Sequence, residues 1–511
     1  MPKSSTVPLT ICITLLFLGI SQGMPVKVSD GTSACRELTP KACVEHAMDA
    51  MGGRAKLEAI HSLELDVIGH TALMEQSYRQ APFITSYERD RITVDFSGGR
   101  MAEVQHSVWP ESDPGQAESD ATLITTPQGG AYGLTQNSPP CSAADLDSAK
   151  ETLALGPERL LLTAAAATDL HFEPDETLRS TPHTVVAFQW HSTPVRILLS
   201  PFTQLPDAVE TVRQFHDFWY FWGDVRQRVY WDNWKLLHGI VYPTNQITER
   251  NGTLLSSMQV LDLDVNKPLD EKRFDIDPKV AQRSMQSPGW DRAFGPDHAK
   301  ELAPGVTLFA GSWNATIIEQ ADGVVILETP ISSTFTEGLV AQAKKMYPNE
   351  AVKAVLTTSD SWPHVGGVRY DVAQGLPTYV LDLNRPLLER MLASPHTIQP
   401  DALQLHPRKP DFRVVSEKTQ VGSGDNRVVL YPLRGASTER QYMVYFPGHR
   451  LLYASDTLVL NADGTLYDPE LLKEVEQAVS REHLDVDTVF AMHQAPVAWN
   501  KVIELLRKAK G

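Results

Sequence analysis

VLTTSDSWPHVGG (355–367) is an apolar strand that runs into a polar loop carrying Ser359, Asp360, Ser361 and His364 and stops on Gly366-Gly367. The strand begins in AVKAVLTTSD (351–360), and Val368–Gln374 starts a helix beyond the loop. Working outward, GVTLFAGSWNATIIEQADGVVILETP (305–330) reads as strands broken by a turn at Asp322-Gly323, followed by a helix over Thr336–Met346. Downstream, LPTYVLDL, RVVLYPL, QYMVYFP and RLLYASD read as strands, with helices at Pro469–Ser480 and Trp499–Lys508. Strands alternating with helices predict an α/β domain.

The rhythm differs upstream. Thr39-Pro40 predicts an N-cap with proline at the first helical position, and Gly52-Gly53 the stop. SLELDVIGH (62–70), FITSYERDRITVDF (83–96) and MAEVQHSVW (101–109) alternate apolar and polar residues, and strands resume through TVVAFQWH, VRILLS and SMQVLDLDV after a helical patch at Ala149–Asp169. Period-2 patterning with short turns predicts a β-rich, largely antiparallel domain. Pro, Gly and charge dominate from about Ser284 to Pro304. The expected division is a leader over 1–23, a β-rich domain over 24–290, a linker over 291–303 and an α/β domain over 304–511.

At 42% apolar and 21% charged, wholesale disorder and a multi-span membrane protein are both excluded. Lys+Arg of 46 against Asp+Glu of 63 leaves −17, which excludes nucleic acid as the expected partner. Lys3, the uncharged VPLTICITLLFLGI (7–20) and Ser21-Gln22-Gly23 have the form of a secretory signal peptide cleaved after Gly23. That stretch falls short of the ~20 apolar residues of a membrane span. The expectation is an exported protein, periplasmic or secreted, with no integral membrane span. Cys12 would leave with the leader. Export makes a Cys35–Cys43 disulfide possible, and Cys141 reads as a buried thiol.

The loop at 355–367 resembles the first metal motif of the metallo-β-lactamase superfamily, in which a hydrophobic strand runs into T-H-x-H-x-D-H-x-G-G. Similar elements follow in order: YPLRGASTERQYMVYFP (431–447) where the middle His is carried, LLYASDTL with Asp456, and VFAMHQAPV with His493. The resemblance spans about 301–511 and implies an αββα sandwich. Thr358, His364, Gly366 and Gly367 match the motif, but Ser359 and Ser361 stand where its first two His belong and Pro363 where its Asp belongs. Ser437 stands for the middle His. The three-His site of the family is thereby lost, whereas His364, Asp456 and His493 retain the other. Two imidazoles and a carboxylate suffice for a catalytic zinc with an open position. The resemblance therefore implies at most one divalent metal, zinc, on His364, Asp456 and His493. Ser359, Ser361, Ser437 and Asp360 would line the substrate side.

MGGRAKLEAIHSLELDVIGH and YPTNQITERNG…DVNKPLDEKRFDIDP resemble the edges of exported half-barrel domains of the lipoprotein-carrier type, which can shelter an apolar ligand. Between them QFHDFWYFWGDVRQRVYWDNW (214–234) is dense in aromatics, which either pack the sheet or line a pocket. Two readings remain open. One is a hydrolase-like enzyme whose metal-activated water attacks an ester, amide, lactone or phosphoester of a small-molecule substrate. The other is a non-catalytic binding protein, with a metal-free α/β domain fused to a half-barrel that holds a hydrophobic ligand.

Overall fold

Leu63 and Val67 are buried while Ile68 is exposed, the alternation that makes Ser62–Leu73 a one-sided strand. It pairs antiparallel with Ile84–Asp95 on one side and with Thr253–Val265 on the other. The computed structural model describes residues 35, 37–73, 84–108, 118–287 and 289–509; the leader over 1–23, with Cys12, lies outside the described residues. Among the described residues, twelve strands between 62 and 265 form one sheet. The chain winds outward from Ser62–Leu73 to the edge at Gly129–Tyr132. It crosses by the helices Ala143–Leu155 and Leu160–Ala166 and winds back from His171–Leu178. That crossing explains why the helices share one face of the sheet. Leu160, Leu161 and Ala164 pack with Val44, Ala47 and Met48 of the helix Pro40–Ala50 against Val186, Phe188, Ile197 and Trp231.

Thr39 caps Pro40–Ala50 by accepting the Ala42 N–H at 3.2 Å, as its sequence predicts. Cys35 and Cys43 form a disulfide, with Cα atoms 5.3 Å apart, and Cys141 is a buried free thiol.

The second half holds two sheets among the described residues. One has seven strands from Ala299–Ala303 to Phe412–Val415, and the other has six from Thr419–Val421 to Val497–Ala498. A cluster containing Leu327, Leu356, Val428, Tyr442 and Tyr453 draws from both sheets. On the far side of the first, Ile317 and Ile326 pack against Leu339 and Val340 of Ser333–Met346. On the far side of the second, Met443 and Val489 pack against Leu472 and Val475 of Pro469–Arg481 and against Val502 of the last helix. No helix among the described residues is long and apolar enough to cross a membrane.

Two expectations need revision. The stretch read as irregular from about Ser284 to Pro304 ends in a strand, Ala299–Ala303, which pairs with Val306–Phe309. The patch at Ala149–Asp169 is two helices, which begin at Ala143 and break at Gly156-Pro157. The aromatic segment joins the halves. Phe221 is buried with Val365, Val368 and Val380, and Phe218 stacks on Trp362 at 5.7 Å.

Candidate active site

Four polar side chains leave the ends of four strands toward one place. Glu328 follows Gly323–Leu327, His364 follows Val352–Thr357, Asp456 follows Leu451–Tyr453 and His493 follows Thr488–Phe490. The first two strands pair parallel, as do the last two, so in each pair both loops emerge at carboxyl ends, where α/β folds gather ligands. Backbone bonds bind the loops together. Tyr442 N–H donates to the Thr358 carbonyl at 3.0 Å, and Met492 N–H to that of Ser455 at 2.8 Å. Glu328 and Ser455 take left-handed backbone, with φ of 67° and 55°, a cost that side-chain residues bear where packing over-determines them.

Gly366 and Gly367 do structural work. A Cβ on Gly366 would strike the Ile331 carbonyl, and one on Gly367 would strike Thr336 and the Thr329 carbonyl. The loop can lie this close to the segment after Glu328 only without side chains there.

His364 is the hub. Its Nδ1 faces Glu328 Oε1 at 3.0 Å, its Nε2 faces Asp456 Oδ2 at 3.8 Å, and the imidazole is wholly buried. Burial opposes a charged imidazole, but the Glu328 and Asp456 carboxylates outweigh it and push His364 up to about 9. His493 Nε2 lies 3.3 Å from Asp456 Oδ1. Its Nδ1 lies 2.6 Å from the Ser312 carbonyl, which can only accept, so Nδ1 donates a proton to it. Glu328 Oε1 also accepts the Thr358 N–H at 3.2 Å, the Thr358 hydroxyl and the Tyr453 hydroxyl at 3.3 Å.

The chemistry of these donors suits a divalent metal better than their closure does. His364 Nε2 is buried with no hydrogen-bond partner, and each imidazole has its Nδ1 held by an acceptor, the arrangement that orients metal-binding histidines. Donors around a tetrahedral zinc stand ~3.4 Å apart. The 3.3 Å separation matches that spacing, and the 3.8 Å separation exceeds it. Among the described residues, no group of three or more His, Cys, Asp or Glu side chains is arranged to hold a metal ion.

The remaining sequence candidates, Ser359, Ser361, Ser437 and Asp360, sit among contacts of their own. Ser359 is buried and its Oγ accepts the Ser361 N–H at 3.0 Å; Ser361 Oγ is buried without a partner. Ser437 is half-buried, its N–H held by Glu474 of Pro469–Arg481 at 3.1 Å. Asp360 is fully buried and accepts Arg440 Nε at 2.7 Å, an ion pair that anchors the loop.

Sequence reading missed Glu328, although its place directly after a buried strand was visible in VVILETP. It also missed Gln441, whose Oε1 accepts the Asp456 N–H at 3.0 Å and whose buried Nε2 has no partner. A third omission is an aromatic wall. Trp290, Trp313 and Trp362 meet edge to face with centroids 4.4–5.6 Å apart, and Trp313 lies 6.2 Å from His493. Arg292 lies 5.0 Å over Trp313.

No family model matches the chain, and no curated protein matches it. Similar solved structures include a metallo-β-lactamase from Hirschia baltica, 18% identical, covering 42% of this chain and 97% of that one with a TM-score of 0.31. One from Erythrobacter litoralis is 18% identical, covering 43% of this chain and 98% of that one with a TM-score of 0.33. The stereoselective inverting sec-alkylsulfatase Pisa1 from Pseudomonas sp. is 16% identical with a TM-score of 0.31; the match covers 41% of this chain and only 40% of the alkylsulfatase. TM-scores this low add nothing to what the residues themselves show.

Proposed function

We propose that the chain is an exported hydrolase-like protein whose second half, over 304–511, is an αββα sandwich of the metallo-β-lactamase type with one divalent metal, zinc, on His364, Asp456 and His493. The supporting observation is that both Nε2 atoms turn to the one Asp456 carboxylate while both Nδ1 atoms are held from behind. When bound there, a divalent ion acidifies water and polarises a carbonyl or phosphoryl oxygen. The protein's own part is positioning. Glu328 keeps the proton on His364 Nδ1, and the Ser312 carbonyl keeps it on His493 Nδ1. Gln441 orients the Asp456 backbone by accepting its N–H. The tryptophan wall beside His493 excludes water and offers apolar area to an ester, amide, lactone or phosphoester substrate. The Cys35–Cys43 disulfide supports export, since such bonds persist in oxidising compartments.

A second reading has its own support. Glu328 and Asp456 already balance a protonated His364 without any metal, as a non-catalytic domain would require. Hydrolysis of chromogenic ester, lactone and phosphodiester substrates, with zinc and with chelator, separates the two. Zinc-dependent turnover that His493→Ala abolishes supports the enzyme; none on any substrate favours the binding protein.

A further inference from the structure

Between the helix Ala143–Leu155 and the sheet of the first half lies a cavity of about 680 Å³. Small-molecule sites commonly span about 300–1,000 Å³, with apolar walls and a few convergent polar groups. Leu65, Ile92, Leu123 and Met258 contribute apolar wall here. Among them stand two acids. Asp90 shares the inward face of Ile84–Asp95 with Ile92 and Val94, and Glu103 stands opposite Ile92 on the neighbouring strand. Asp90 is 4% exposed; Gln105 donates to its carboxylate, and its Oδ1 has no hydrogen-bond partner.

Among the described residues no Lys or Arg pairs with either acid. The cavity's arginines are already engaged, Arg213 with Glu151 and Arg250 with Asp217. The nearby charges deepen the imbalance: Asp90 lies in the field of Glu88, and Glu103 in those of Asp90, Glu88 and Asp145. Burial, reinforced by these like charges, pushes Asp90 up to about 6 and Glu103 up to about 7. Buried acids without a counter-ion are costly in an ordinary core. In a cavity they mark where a cation belongs.

We propose that this cavity binds an amphipathic ammonium compound, its apolar tail along Leu65, Ile92, Leu123 and Met258 and its ammonium head donating to the carboxylates of Asp90 and Glu103. A bare metal ion would leave the apolar walls uncovered, and an anionic or neutral amphiphile would leave the acids unanswered.

Calorimetric titration of the full mature chain with dodecylammonium, dodecyl sulfate and dodecyl maltoside, each below its micelle concentration, tests this. Dodecylammonium should bind at least about ten-fold tighter than either other compound, since matched charge in a dry pocket discriminates strongly. The preference should vanish in the double variant Asp90→Asn, Glu103→Gln. Both changes remove unmatched buried acids, so the variant should melt no lower than the parent. Should it fail to fold, Glu103→Gln alone provides the reading, with a smaller preference expected. Equal affinity for the sulfate in the parent, or an undiminished ammonium preference in whichever variant is read, overturns the proposal.

Discussion

Nδ1 of His364 stands 3.0 Å from Oε1 of Glu328, and neither side chain reaches solvent. A buried imidazole held this way has one fixed orientation, which directs Nε2 at Asp456. Replacing Glu328 by Gln keeps the shape but removes the charge. Breaking a buried pair costs about 3 kcal/mol or more, so urea unfolding of Glu328→Gln should show a loss of that order. Zinc affinity should fall by about ten-fold or more, as it does when a carboxylate behind a ligating His is lost. An unchanged unfolding midpoint would show that the pair does not hold His364.

Asp360 tests the same loop from its other side. Arg440→Ala leaves a fully buried carboxylate without its cation and should destabilise the protein by about 3 kcal/mol. The double variant Asp360→Leu, Arg440→Met should recover most of that loss in urea unfolding. If Arg440→Ala is neutral, the pair is not a structural anchor.

The junction between the halves carries a pH response. His396 is 3% exposed, and burial together with Arg369 depresses it to about 4, with Asp401 opposing. A neutral His396 suits its Nε2 contact with the Phe221 carbonyl at 3.3 Å. The unfolded chain takes up this proton near pH 6.5 and the folded chain only near 4. Stability attached to His396 is therefore full above about 6.5 and is lost as pH falls toward 4, by up to about 3 kcal/mol. Chemical denaturation of parent and His396→Gln across pH 4–7 should give curves that converge as the pH falls. Parallel curves would contradict this.

The Cys35–Cys43 bridge closes a short loop of sequence separation 8 on a helix packed in the first core. By loop-closure entropy it should contribute about 2–3 kcal/mol. Thermal melts of Cys35→Ala/Cys43→Ala should fall accordingly, and reductant should lower the parent's melting point but not the variant's. Equal response of both to reductant would show that the bond does not form.

What sequence reading recovered, and what it missed, follows from how locally each feature is encoded. His364, Asp456 and His493 are legible because each lies in a short motif just beyond an apolar strand. Glu328 occupies the same kind of position, but its role depends on a left-handed backbone and on partners from distant segments, neither written in ETP. Trp290 sits in the Pro- and Gly-rich stretch that begins near Ser284, and its partners, Trp313 and Trp362, are distant in sequence. Ala299–Ala303 escaped notice because AKELA lacks β-branched residues and lies at a sheet edge. The aromatic segment at 214–234 was visible as a cluster, yet only the fold shows that Phe218 and Phe221 pack on the second half.

The most direct test of the account is the metal content of the purified chain after zinc loading and removal of excess, measured by plasma mass spectrometry on the parent and on His364→Ala and Asp456→Ala. A single-ion site on two imidazoles and a carboxylate predicts about one zinc per chain in the parent and little in either variant. Sub-stoichiometric zinc in the parent, with no further drop in the variants, would contradict it.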